Sequence, residues 1–155
     1  MSKDIDKKKV IDLLNRILEM ELAGVVRYTH YSFMVYGYGR IPIVSWLREQ
    51  ASESMMHAQE AGELITSLGE HPSLKVGQLL ETQKHDIGDI LREALATEKD
   101  GLKLYEELLE LVENRDVTLE EYARQKVHEE QMHLWDVDKM LRKPGDIETF
   151  VEQQK

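Results

Sequence analysis

Apolar and polar positions follow a helical period along almost the whole chain. Val10, Leu14, Ile17, Glu21, Val25 and Tyr28 recur at three- and four-residue steps and predict a helix A from about Asp6 to Tyr36. Gly37-Tyr38-Gly39-Arg40-Ile41-Pro42 interrupts it, and Pro42 suits the first turn of a helix B. Ile43, Trp46, Leu47, His57, Ala61, Leu64 and Leu68 form the inner stripe of B, which Gly69 stops. Glu70 to Lys84 loses the period at His71-Pro72 and Gly77 and is long enough to be a crossover. Helix C begins near Asp86, faces inward with Ile90, Leu91, Ala94, Glu98, Leu102, Tyr105, Leu109 and Val112, and breaks at Asn114-Arg115-Asp116. Thr118-Leu119-Glu120-Glu121 has the capping-box pattern and opens helix D. Its inner positions are Leu119, Tyr122, Lys126, Glu130, His133, Val137 and Met140. Lys143-Pro144-Gly145 ends D, leaving Asp146 to Lys155 as a tail for a short fifth helix. Two long hairpins joined by one long connection predict an all-α, four-helix bundle with a crossover between B and C. Residues 1–155 are expected to form a single domain.

Composition narrows the function. Charged residues are 32% of the chain and aromatics 6%, which favours helices over a sheet core. Thirty acidic against 20 basic residues give a net charge of −10 without a basic stripe, so nucleic acid is not an expected partner. Cysteine is absent, which removes disulfides, thiolate metal sites and cysteine nucleophiles. No apolar run approaches the roughly 20 residues of a membrane span. The opening residues do not resemble a signal peptide, so the cytoplasm is the expected compartment and no membrane partner is expected.

The chemistry lies where the stripes turn polar. Glu21 and Glu98 occupy mid-stripe positions that a helix normally gives to Leu or Ala, and His57 and His133 do the same on B and D. The separation from Glu21 to His57 nearly repeats that from Glu98 to His133, a weak internal repeat of the two hairpins. Glu130 lies one turn before His133 on the same face. A lone buried Glu is more often satisfied by a neighbouring Tyr, Lys or Arg. Five such groups at one level point instead to a metal site, because buried charge needs compensation. Carboxylate and imidazole donors without thiolate suit iron, manganese or zinc. His30, His71, His85 and His128 show no ligand spacing and are expected to be solvated.

Leu18-Glu19-Met20-Glu21-Leu22-Ala23 followed by Tyr28, Glu98-Lys99-Asp100-Gly101, and Glu129-Glu130-Gln131-Met132-His133 resemble the ligand segments of the ferritin-like superfamily, nearest to the bacterioferritins. The likeness spans Val10 to Leu141. It implies a dinuclear iron centre with Glu21 and His133 as terminal ligands, Glu130 bridging, and Tyr28 beside the irons as a candidate catalytic side chain. It implies a ferroxidase-type oxidoreductase acting on Fe(II) with dioxygen or peroxide, and iron storage. The partners implied are iron ions and copies of the chain, a dimer or a larger homo-oligomer up to a hollow shell of about 24 subunits. Met55 matches the methionine that holds haem b between two subunits; an ordinary surface or interface methionine is the other reading.

Two positions depart from the family pattern. Ser54 stands where the family has Glu, three residues before His57. Glu53 is the substitute, but it lies about 70° from the centre of the apolar stripe and reaches inward only from the margin. Lys126 is on the inner face of D two turns before His133, either snorkelling to the bundle end or pairing with Glu98, Glu130 or Glu21. The alternatives to a storage ferroxidase are a non-storage di-metal oxidoreductase removing peroxide, and an oligomeric structural or partner-binding protein with a degenerate site.

Overall fold

The computed structural model describes residues 4–153; the first three residues and the last two of the expected tail lie outside the described residues. Four long helices carry the architecture: α1 (Lys7–Met34), α2 (Arg40–Ser67), α3 (Ile87–Val112) and α4 (Val117–Leu141). A short α5 (Phe150–Gln153) falls within the expected tail. Helix α1 packs along α2, α3 along α4, and α1 against α3. The fold is the all-α four-helix bundle with a long crossover that the periodicity predicts. No described helix is long and apolar enough to cross a membrane.

Aspartates start three of the four helices. Asp6, Asp86 and Asp116 accept from the backbone N–H of Lys9, Gly88 and Leu119 at 3.2, 3.1 and 3.0 Å. The start of α4 corrects the capping-box expectation, since Asp116 and not Thr118 is the cap. Glu120 instead accepts from the N–H of Asn114 at 3.2 Å and so closes the α3–α4 turn. Gly69, at φ +86°, ends α2: its N–H donates to Thr66 O at 2.9 Å and that of Glu70 to Ile65 O at 3.2 Å. This is the Schellman arrangement, which needs a left-handed residue at that place.

The crossover lies along α1. Ser73 N–H donates to Asn15 Oδ1 at 2.7 Å, and Gly77 N–H donates to Glu19 O at 2.8 Å. A Cβ on Gly77 would sit 2.8 Å from that same carbonyl oxygen, so only glycine permits the approach. Further on, Thr82 Oγ1 and Tyr31 Oη both donate to Glu93, at 2.9 and 2.6 Å, tying the crossover and α1 to α3.

The core is divided. One apolar cluster runs from Val10, Leu14 and Ile17 to Ile65, Leu108, Val112, Leu119 and Ala123. A second gathers Tyr28, Tyr31, Val35, Val44, Leu47 and Ile90, and a third Leu91, Leu95, Leu134 and Val137. Met140, expected inside, is exposed, because Leu141 and Phe150 take the inward place at that end of α4. Among the described residues no Cα of α2 comes within 8 Å of one of α4. Long polar side chains cross that gap.

Candidate metal centre

One polar layer lies in the core, and every long helix contributes to it. Glu21 comes from α1, His57 from α2, Glu98 from α3, and Glu130 and His133 from α4. Glu21, His57 and Glu130 are buried, and one ligand atom from each lies within 4.8 Å of the others. His57 Nδ1 is 3.5 Å from Glu21 Oε1 and 3.6 Å from Glu130 Oε1. Glu98 and His133 adjoin this trio, with His133 Nε2 3.9 Å from Glu98 Oε1. Tyr28 Oη donates to Glu98 at 2.7 Å and lies 3.3 Å from His133 Nε2. Trp46 stacks on the His133 ring at 6.0 Å, fixing its plane.

His57 is held from both sides. Its Nε2 lies 3.2 Å from Glu129 Oε2, whose other neighbour is Lys126 Nζ at 3.1 Å. A carboxylate behind an imidazole sets its tautomer and leaves the opposite nitrogen free to coordinate. Lys126 also pairs with Glu60 at 2.5 Å. This corrects both readings of Lys126: it does not run to the bundle end, and its partners are Glu60 and Glu129. It therefore braces the outer side of His57 and leaves the inner carboxylates unpaired by any lysine.

The substitute carboxylate sits on that same outer side. The Glu53 side chain is 45% exposed, with Oε1 3.8 Å from His57 Nε2, across the ring from Glu21 and Glu130. It lines the small cavity it shares with Ser54, Gln50, Glu98, Glu130 and His133. Ser54 is buried and faces α1, where a Cβ on Gly24 would meet its Oγ at 2.9 Å. Met55 is on the outer face of α2, 39% exposed and away from the layer.

Protons respond to this crowding. Burial pushes the Glu130 carboxyl well above the usual range, and neighbouring Glu98 adds to the rise. Burial likewise raises Glu21, partly offset by His57 and by Tyr105, which donates to it at 2.8 Å. Burial would also raise Glu98, but the hydrogen bond with Glu130, then His133 and Tyr28, outweigh it and hold Glu98 low. Burial on its own would lower His57; Glu130 and Glu21 overcome this and push it up to about 10. Tyr28 is raised by burial and then by Glu98, so it stays a protonated donor. Among the described residues Glu21 and Glu130 have no lysine or arginine within ion-pairing distance, and only shared protons and His57 offset their charge. A layer compensated by protons can exchange them for cations.

Sequence reasoning missed several members of this neighbourhood. Tyr105 read as an apolar stripe residue, and Glu129 and Glu60 were given no role. Tyr105 and Glu60 have no spacing signal, because their partners come from other helices; Glu129 has Lys126 three residues before it, but its contact with His57 crosses to α2. His30 and His85, expected to be solvated and without ligand spacing, are also brought together, at a ring distance of 5.6 Å.

The comparisons with known proteins agree with this architecture. A family model for the ferritin-like domain matches residues 11–145. Bacterioferritin from Desulfovibrio desulfuricans is 29% identical over 133 residues, 83% of this chain and 72% of that protein. A ferritin-like, diiron-carboxylate protein from Bacillus anthracis superposes with a TM-score of 0.83 at 25% identity, covering 88% of this chain and 98% of the other. Rhodobacter capsulatus bacterioferritin, solved with a metal-free dinuclear site and haem iron, superposes at 0.79 and 26% identity over 91% and 86% of the two chains. Since the match runs from the first helix to the end of the fourth, the chain belongs to the ferritin-like family, with bacterioferritins among its relatives.

Proposed function

We propose that this protein takes up Fe(II) as a substrate in the polar layer and oxidises it with dioxygen or peroxide. The observation that carries the reading is the convergence of Glu21, His57 and Glu130 within 4.8 Å, with Glu98 and His133 alongside. One cation would be held by Glu21, His57 and Glu130, and a second by Glu98, His133 and a shared Glu130. Iron suits the donors, which are carboxylate and imidazole; manganese and zinc suit them too, but zinc has no one-electron chemistry to offer. Each Fe(II) gives up one electron, and peroxide takes two, with protons, to leave water.

The chain's own residues do the rest. Glu129 and Lys126 orient His57 from behind. Tyr28 holds Glu98 by its hydrogen bond and is close enough to His133 to protect its orientation. Glu53, within reach of His57 and Glu129 on the outer side and lining the cavity, receives cations from solvent. There it supplies the carboxylate that Ser54 lacks. The test is Glu53→Ala: fast Fe(II) oxidation should fall by at least about tenfold, and an unchanged rate would remove Glu53 from the reaction.

Storage and assembly extend the same reading. Ile41, Met55 and Met56 are exposed on α2 and give the helix an apolar outer face suited to a second copy. Haem b fits the same face in one respect, since Met55 offers an exposed thioether that a two-fold contact would pair with the partner's own. Haem would supply an electron-transfer group there.

A further inference from the structure

A second cluster of ligand atoms lies outside the polar layer. His30 is on α1; Glu81 and His85 are at the end of the crossover. His30 Nε2 is 2.6 Å from Glu81 Oε2, and His85 Nε2 is 3.2 Å from Glu81 Oε1. One ligand atom from each residue lies within 4.8 Å of the other two. Both Nε2 atoms are shielded from solvent, and each is faced by one oxygen of the same Glu81 carboxylate.

The support around the cluster is already in place. Glu81 Oε1 accepts from the N–H of Gln83 at 2.5 Å, in a turn where Gln83 takes the left-handed φ of +57°. Thr82 is bonded to Glu93 on α3, and Glu93 also receives the Tyr31 hydroxyl from the turn of α1 that follows His30. The carboxylate is thus carried on a segment fastened to two helices. Beside it is a recess of about 210 Å³ lined by Val26, Arg27, Tyr31, Leu79 and Leu80.

We propose that His30, Glu81 and His85 form a second metal site, for a divalent transition ion of the zinc type. Two imidazoles and one carboxylate, with a fourth position left for water, are a donor set that zinc accepts at bond lengths of about 2.0–2.2 Å. The cation takes both nitrogens and the carboxylate they share at once. It also clips the crossover to α1 at its far end, where the Gly77 and Ser73 bonds no longer reach. This site shares no residue with the polar layer and does not depend on the function proposed for it.

Cobalt(II) is the probe, because its visible spectrum reports four-coordinate geometry. The full-length protein is titrated with Co(II) alone, in unaltered form and as His30→Ala/His85→Ala, Glu81→Gln and Glu130→Gln. The double variant and Glu81→Gln are expected to lose about one Co(II) per chain together with its intense tetrahedral bands, and Glu130→Gln to keep them. Circular dichroism checks that each variant retains its helices; Glu81→Gln preserves volume and gives the comparison if the double variant loses them. The same Co(II) count and spectrum with and without His30, His85 and the Glu81 charge would overturn the proposal and leave an ordinary His–Glu ion-pair cluster.

Discussion

Glu129 is the residue on which the reactivity of His57 turns. It lies between Lys126 and His57 Nε2, so it decides which imidazole nitrogen faces the inner carboxylates. Glu129→Gln should weaken Fe(II) binding by about 10- to 100-fold while leaving the fold intact, measured by anaerobic titration; unchanged affinity would remove Glu129 from the account. Ser54→Glu is the complementary experiment, since a carboxylate there would enter the cavity between Glu98 and Glu130. It should raise the Fe(II) oxidation rate about tenfold and make the protein indifferent to Glu53→Ala. Glu21, His57, Glu98, Glu130 and His133 were legible as an unusual set because each replaces an apolar residue at a stripe position. Glu60 and Tyr105 were not, since a partner on another helix leaves no trace in local spacing, and the Lys126–Glu129 spacing on α4 carries no hint that Glu129 also meets His57. Lys126 showed the limit plainly: its inward position was readable, but its direction depended on Glu60 of α2 as well as Glu129 of its own helix.

At the scale of elements, helix extents were readable and their ends less so. The 3.6-residue period of apolar positions is enforced by burial over many turns, whereas an end depends on one or two side chains. Asp116 displaced Thr118 as the α4 cap because its carboxylate already satisfies Leu119 N–H. Asp116→Ala should cost about 0.5–2 kcal/mol of stability by chemical denaturation, and Thr118→Ala a few tenths at most. Asp138 had only Arg142 four residues on as a local signal, yet it is buried and accepts from Arg142 at 2.8 Å and from the N–H groups of Phe150 and Val151 at 3.2 Å each. Burial would raise its carboxyl, but Arg142 and those amides outweigh it and hold it below the usual range. A depressed carboxylate contributes above its unfolded value, and the contribution is lost as pH falls through the folded one. Attachment of α5 should therefore weaken in acid, and Asp138→Asn should remove hydrogen-exchange protection at Phe150 and Val151 at neutral pH.

For the whole molecule, metal and proton compete for one layer between apolar clusters. His57 and Glu130 both have raised pKa values, so their contribution to metal-free stability is full below their unfolded values and declines as pH rises. Cation binding displaces those same protons and strengthens as pH rises. The thermal stabilisation gained on metal loading should accordingly widen between about pH 6 and pH 8, a trend calorimetry can follow. A narrowing gap would mean that the layer does not exchange protons for cations. Whether the layer is a dinuclear iron-oxidising site is tested by an anaerobic Fe(II) titration of the unaltered protein and of Glu130→Ala, followed by addition of peroxide or air. Roughly two tightly bound Fe(II) per chain that depend on Glu130 are expected, oxidised rapidly in the unaltered protein and slowly in the variant. Fewer than about one such iron per chain, with equally slow oxidation in both proteins, would contradict a dinuclear site.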